Sequence, residues 1–181
     1  MIIAITGRPG VGKTSLVEWV LERVGIPYGG MVTREIRKVG KRVGFAVVDV
    51  ATGREGVLAH IHLDQGPKLG RYRVNLADLE GIGVAAIERA IREGKLVVVD
   101  EVGPMELKSE RFVAAVERAL GEARHLLVTL HRSSNHHLAY LIRHRCDQLI
   151  RLTVGNRDRK REEVLRLLEA ASGTGGERPR V

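Results

Sequence analysis

The chain switches between two hydrophobic periods, and the switches mark its elements. Ile2 to Thr6 is a short apolar, β-branched run that closes on glycines, which predicts a buried strand entering a tight loop. From Lys13 onward the apolar positions fall at Leu16, Val17, Val20, Leu21 and Val24, the spacing of one helix face, and Gly25 with Pro27 ends that helix. Residues 29–61 have a different texture. β-rich runs at Met31–Ile36, Phe45–Val50 and Gly56–Ile61 are separated by turn chemistry at 38–42 and 51–54, the pattern of an antiparallel meander. Residues 64–75, with Gly66, Pro67 and Gly70, predict a loop, and a second helical pattern then runs to about Glu93.

From Leu96 strands and helices alternate again: a strand at Leu96–Val99, a helix over about 110–120, a strand at Leu126–Thr129, a helix over about 138–145, a strand at Gln148–Val154 and a last helix over about 159–171. Repeated strand–helix units imply an α/β fold, a mostly parallel sheet with helices on its faces. The expected organisation is one domain over 1–171, with the 29–61 meander inserted after the first helix, and a flexible basic tail over 172–181.

Composition narrows the function classes. At 181 residues the chain can bury a core without disulfides or a structural metal. The lone Cys146 cannot form an internal disulfide. The N-terminus has no basic n-region or cleavage-type site, and no apolar run reaches the roughly 18 residues that cross a bilayer. A cytoplasmic protein with no membrane partner is therefore expected. The net charge of +8 favours anionic partners, nucleotides as well as nucleic acids, although a solvated, Lys- and Arg-rich surface of the thermophile kind accounts for it equally well.

The chemistry is concentrated at strand ends. Gly7-Arg8-Pro9-Gly10-Val11-Gly12-Lys13-Thr14, followed by Ser15, matches the phosphate-binding loop pattern directly after a strand and before a helix. Its glycines let backbone N–H groups converge on phosphate oxygens, and the helix N-terminus adds a positive dipole end. Lys13 is expected on the β- and γ-phosphates, and Thr14 is expected to offer its hydroxyl to Mg2+. Leu96–Val99 ends in Asp100 and Glu101. Asp100 is the second expected magnesium-holding residue, and Glu101 the carboxylate that orients or deprotonates an attacking water.

Arg132, after the next strand, is a candidate for stabilising charge on the transferring phosphoryl group, or else it begins a helix capped by Ser134 or Asn135. Thr129 is a candidate contact to the γ-phosphate or to water. Asn156 and Arg157, with Asp158, follow the last strand and either contact base and ribose or cap the final helix. Gly70–Asn75 gathers cations, an aromatic ring and an amide in what reads as a wall or lid, or as an ordinary loop.

Gly7–Thr14, Gly29–Glu35, Val43–Phe45, Gly66–Asn75, Asp100-Glu101-Val102-Gly103-Pro104-Met105-Glu106, Thr129–Arg132 and Asn156–Asp158 together resemble the thermophile nucleoside-triphosphatase family, whose animal member is called cancer-related nucleoside-triphosphatase. The likeness runs from Met1 to about Ala171. It implies a three-layer core related to RecA-type ATPases. It also implies magnesium-dependent hydrolysis of ATP, GTP and other nucleoside triphosphates with relaxed base preference.

Two other functions compete. In a nucleotide or nucleoside kinase the 29–75 region would bind an acceptor. A nucleic-acid-dependent ATPase is suggested by the charge but disfavoured by an aromatic content of 3%. The residues do not fix the oligomeric state, and a monomer is the expectation.

Overall fold

Apolar strands connected through helices need both faces covered, and the computed structural model of the chain, which describes residues 1–173, shows how that is met. The strands are β1 (Ile2–Gly7), β2 (Tyr28–Lys38), β3 (Lys41–Asp49), β4 (Glu55–His60), β5 (Lys68–Leu69), β6 (Tyr72–Val74), β7 (Leu96–Val102), β8 (Leu126–His131) and β9 (Gln148–Leu152). They form one sheet in the order β5-β6-β4-β3-β2-β7-β8-β1-β9. Neighbours from β2 to β9 in that order are parallel, and those from β5 to β2 are antiparallel. The helices are α1 (Lys13–Leu21), α2 (Leu76–Asp78), α3 (Ala85–Arg92), α4 (Glu110–Glu122), α5 (His137–Arg145) and α6 (Arg157–Ser172). A π-helical segment, Leu79–Val84, joins α2 to α3. None of the described helices is long and apolar enough to cross a membrane.

Successive strand residues point to opposite faces, so the sheet divides the interior into two cores. Ile3, Ile5, Val98 and Leu127 pack with Leu16, Val17 and Val20 of α1 and with Val164 and Leu168 of α6. Their alternates Ala4, Val97, Val99 and Val128 pack with Ile87 of α3, Phe112 and Val116 of α4, and Leu138 and Ile142 of α5.

β2 belongs to both halves of the sheet. Tyr28–Met31 runs parallel to β7, while Met31–Lys38 forms a hairpin with β3. Gly30 makes the first pairing possible. Its φ is +114°, and a Cβ there would stand 2.0 Å from the Val98 carbonyl oxygen, so only glycine lets the two backbones meet.

The segment expected to be a loop over 64–75 contains β5 and β6, which extend the sheet beyond β4. Tyr72 and Val74 are buried on either side of half-buried Arg73, a period-two pattern too short to stand out among Gly66, Gly70 and three cations. Arg71 donates to the Arg42 carbonyl and to the Tyr72 hydroxyl, so Gly70–Asn75 is tied into the sheet edge, and Asn75 caps α2 by accepting from Asp78 N–H. The tail expected over 172–181 lies outside the described residues from 174 on. The parallel strands β1, β8 and β9 end in register, with Gly7 between His131 and Leu152, and this common edge carries the site.

Candidate active site

The loop from Gly7 to Thr14 turns β1 into α1 through two left-handed glycines, Gly10 at φ +74° and Gly12 at φ +103°. Gly12 is also the N-cap of α1, where a left-handed backbone replaces the usual side-chain cap and no acidic residue occupies the first turn. The positive end of the helix is therefore left for an external anion. Lys13 is buried and curls over the loop, its Nζ donating to the Gly7 and Arg8 carbonyls at 3.3 and 3.4 Å.

Because β8 lies between β1 and β7, the acidic end of β7 faces the loop across one intervening strand. Asp100 is fully buried there. It accepts hydrogen bonds from the hydroxyl of Thr14 at 2.7 Å and from that of Thr129, on β8, at 2.5 Å. Thr129 is thus a fully buried bridge between strands, its hydroxyl engaged by Asp100 rather than turned to a phosphate or water. Burial pushes the Asp100 carboxyl up to about 6, against the two threonine hydrogen bonds that pull it down. Two hard oxygen donors in contact, one of them a buried carboxylate that a cation would hold ionised, fit a magnesium ion bound by Thr14 and Asp100.

Glu101 completes the arrangement. Its Oε1 is buried and without a hydrogen-bond partner, 3.8 Å from Lys13 Nζ. Glu106 is a second buried carboxyl close by, accepting from Gly103 N–H at 3.2 Å. Burial, reinforced by the charges of Glu101 and Asp100, pushes it up to about 8.

A cleft of about 530 Å³ starts at Lys13, Thr14, Glu101 and Glu106 and extends to Thr33, Arg42 and Phe45 on the β2–β3 hairpin. Its far wall is built from Arg42, which lies over the Phe45 ring at 5.1 Å, donates to the Tyr72 hydroxyl at 3.1 Å and pairs with Glu35 at 3.2 Å.

The remaining expected residues are distributed around the loop. His131, not Arg132, lines this cleft. Arg132 is exposed and lies with Gly7, Arg8, Val11, Arg151 and Val154 around a smaller cavity of about 330 Å³. The helix after it is capped by His136, whose Nδ1 accepts from Leu138 N–H, and not by Ser134 or Asn135. Arg157 lies beside Gly12 and Ser15 around another cavity. Asn156 accepts from Thr153 N–H and donates to the Arg151 carbonyl, closing the loop before α6 on itself. Glu106, His131, Arg42 and Phe45 were not singled out from the sequence as site residues. Glu106, Phe45 and His131 carried a signal as members of the strings that make the resemblance, whereas Arg42 carried none.

A glycine loop curled around a buried lysine, a helix N-terminus behind it and a threonine–aspartate contact at the carboxyl edge of a parallel sheet define a P-loop α/β protein. The NTPase family model matches residues 2–165, and the chain belongs to that family. It is 46% identical over 166 residues to nucleoside-triphosphatase THEP1 of Methanosarcina acetivorans, covering 90% of this chain and 93% of that protein. It is 45% identical to the protein of the same name from Thermofilum pendens, covering 85% and 87%. Among solved structures, THEP1 from the hyperthermophile Aquifex aeolicus superimposes with a TM-score of 0.84 at 34% identity, over 93% of this chain and 99% of that one. A human cancer-related nucleoside triphosphatase gives 0.77 at 30%, over 93% and 97%.

Proposed function

We propose that the chain is a magnesium-dependent nucleoside-triphosphatase that hydrolyses ATP, GTP and other nucleoside triphosphates to the diphosphate and inorganic phosphate. The observation that carries this reading is Glu101, a carboxylate with one buried, unpartnered oxygen beside the lysine of the phosphate loop. The loop amides and the α1 N-terminus grip the phosphate chain, and Lys13 supplies a positive charge at its terminal end. Magnesium bound by Thr14 and Asp100 would neutralise charge on the β- and γ-phosphates. Glu101 accepts a proton from water as the water oxygen bonds to the γ-phosphorus and the bond to the diphosphate oxygen breaks. The parallel order β2-β7-β8-β1-β9, with β8 between the loop strand and the acidic strand, supports the RecA-type core that the resemblance implies.

One observation favours a second reading. The cleft does not stop at the loop and Glu101 but continues to Arg42 and Phe45, which offers a place for a small phosphoryl acceptor, as in a nucleotide or nucleoside kinase. Phosphate release measured with ATP, GTP, CTP and UTP, with and without magnesium, tests the first reading, which requires release that depends on the metal. Appearance of a phosphorylated acceptor, separated by ion exchange, in place of free phosphate would give the site to the second.

A further inference from the structure

Glu101 is held by few direct contacts. Its Oε1 makes no hydrogen bond, its ion pair with Lys13 is long at 3.8 Å, and its side chain is 27% exposed. A general base needs one orientation, because a misplacement of about 1 Å costs on the order of 100-fold in rate. What holds it follows directly in the chain. After Glu101 the backbone turns at Gly103 into a 3-10 segment, Glu106–Lys108, with Leu107 N–H bonded to the Gly103 carbonyl at 3.0 Å. The Glu106 side chain reaches back under this turn, 5% exposed, and accepts from Gly103 N–H. A Cβ at Gly103 would stand 3.0 Å from Glu106 Oε2 and 3.7 Å from Glu101 Cδ, so both carboxyl groups lie against the same glycine.

We propose that Glu106 is a positioning residue for Glu101: its buried carboxyl ties down the Gly103 amide and fixes the turn, so that the Glu101 carboxylate faces the cleft in one orientation. This rests on the reading of Glu101 as the base. A protonated Glu106, the form its raised pKa favours at neutral pH, adds no third negative charge beside Asp100 and Glu101. What it contributes is a carbonyl-type acceptor of fixed reach, and glutamine supplies the same acceptor.

The test is steady-state turnover of magnesium ATP at pH 7 for the wild type, Glu106→Ala, Glu106→Gln, Glu101→Gln and the Glu101→Gln, Glu106→Ala pair. Binding of a slowly cleaved ATP analogue and melting temperature are measured on each. Glu106→Ala should lower kcat at least about tenfold with analogue affinity within about twofold, and Glu106→Gln should keep kcat within about threefold. In the Glu101→Gln background the alanine change should cost less than about twofold more, because Glu106 acts through Glu101. If Glu106→Ala does not fold, Glu106→Asp, which withdraws the carboxyl by one methylene, takes its place with the same expectation. Turnover unaffected by either change, a glutamine variant as impaired as alanine, or losses that multiply in the double variant would overturn the assignment. A wild type that releases no phosphate would instead sink the reading of the site itself.

Discussion

Lys13 and Glu101 face each other at 3.8 Å, yet their removal has different consequences. Lys13 is bonded to its own loop, and on the proposed reading it meets phosphate in the bound state as well as during transfer. Lys13→Ala should therefore weaken binding of a slowly cleaved ATP analogue by roughly 30- to 100-fold, the loss of a charged hydrogen bond of about 2–3 kcal/mol. On the proposed reading Glu101 acts on the attacking water and not on the phosphate chain, so Glu101→Gln should bind the analogue nearly as well as wild type while kcat falls about 100-fold or more. An unchanged kcat in that variant removes Glu101 from the base role. Glu106 adds a pH signature. Its carboxyl is pushed from the ordinary 4.5 up to about 8, so the unfolded chain loses this proton first as pH rises. Its contribution to stability is complete below about 4.5 and drains away up to about 8. The melting temperature of Glu106→Gln, without metal or nucleotide, should match wild type near pH 4 and exceed it increasingly toward pH 8; parallel curves would contradict the assignment. At this scale the sequence disclosed what is contiguous, the loop from Gly7 to Thr14 and the Asp100–Glu101 pair. It did not disclose which of two adjacent side chains, His131 or Arg132, turns into the cleft, since that depends on how β8 runs out into the loop. Nor did it show that the Thr129 hydroxyl is spent on Asp100, a contact between residues 29 apart.

Among elements, the tightest constraint is the crossing of β2 and β7 at Gly30. Gly30→Ala places a methyl group 2.0 Å from a backbone oxygen at a φ of +114°, and backbone cannot give way as a side-chain tip can. The variant should lose more than about 3 kcal/mol in urea unfolding or fail to accumulate folded, and a loss below about 1 kcal/mol would show that the strands can separate there. The long elements were legible because their apolar residues repeat: α1 begins at Lys13, and β3 and α4 end within two residues of where periodicity places them. Shorter ones were not. β5 and β6 are two and three residues long, paired by tertiary contact with β4 rather than by any pattern of their own. The π-helical stretch through Gly81 and Gly83 reads as plain helix in sequence. A Cβ on Gly83 would press to 2.7 Å on Met31 Sδ, a close approach visible only in three dimensions.

Over the whole molecule the charge of +8 invites a nucleic-acid partner, and the disposition of cations and rings bears on that expectation. Many cations already have carboxylate partners, among them Arg34 with Glu18, Arg37 and Arg42 with Glu35, Arg89 with Asp49, and Arg118 with Glu122. Several aromatic rings are similarly committed, with Phe112 in the core, Phe45 and Tyr72 edge to face, and Trp19 against Arg23 and Arg161, whereas Tyr140 is exposed and stacks on His144. Single-stranded RNA or DNA added to a turnover assay should leave the rate flat, and a large, salt-sensitive stimulation would reveal a nucleic-acid partner. The antiparallel region, which in sequence looks like an appendage that could be shaved off, cannot be detached at its apparent border. The first four residues of β2 are the plank nailed alongside the strand of Asp100 and Glu101, and the rest of the same plank carries β3 with Arg42 and Phe45 of the far wall. Sawing it off at residue 29 would leave the strand of Asp100 and Glu101 with a bare flank, so the cleft wall and those two carboxylates stand or fall as one piece of carpentry.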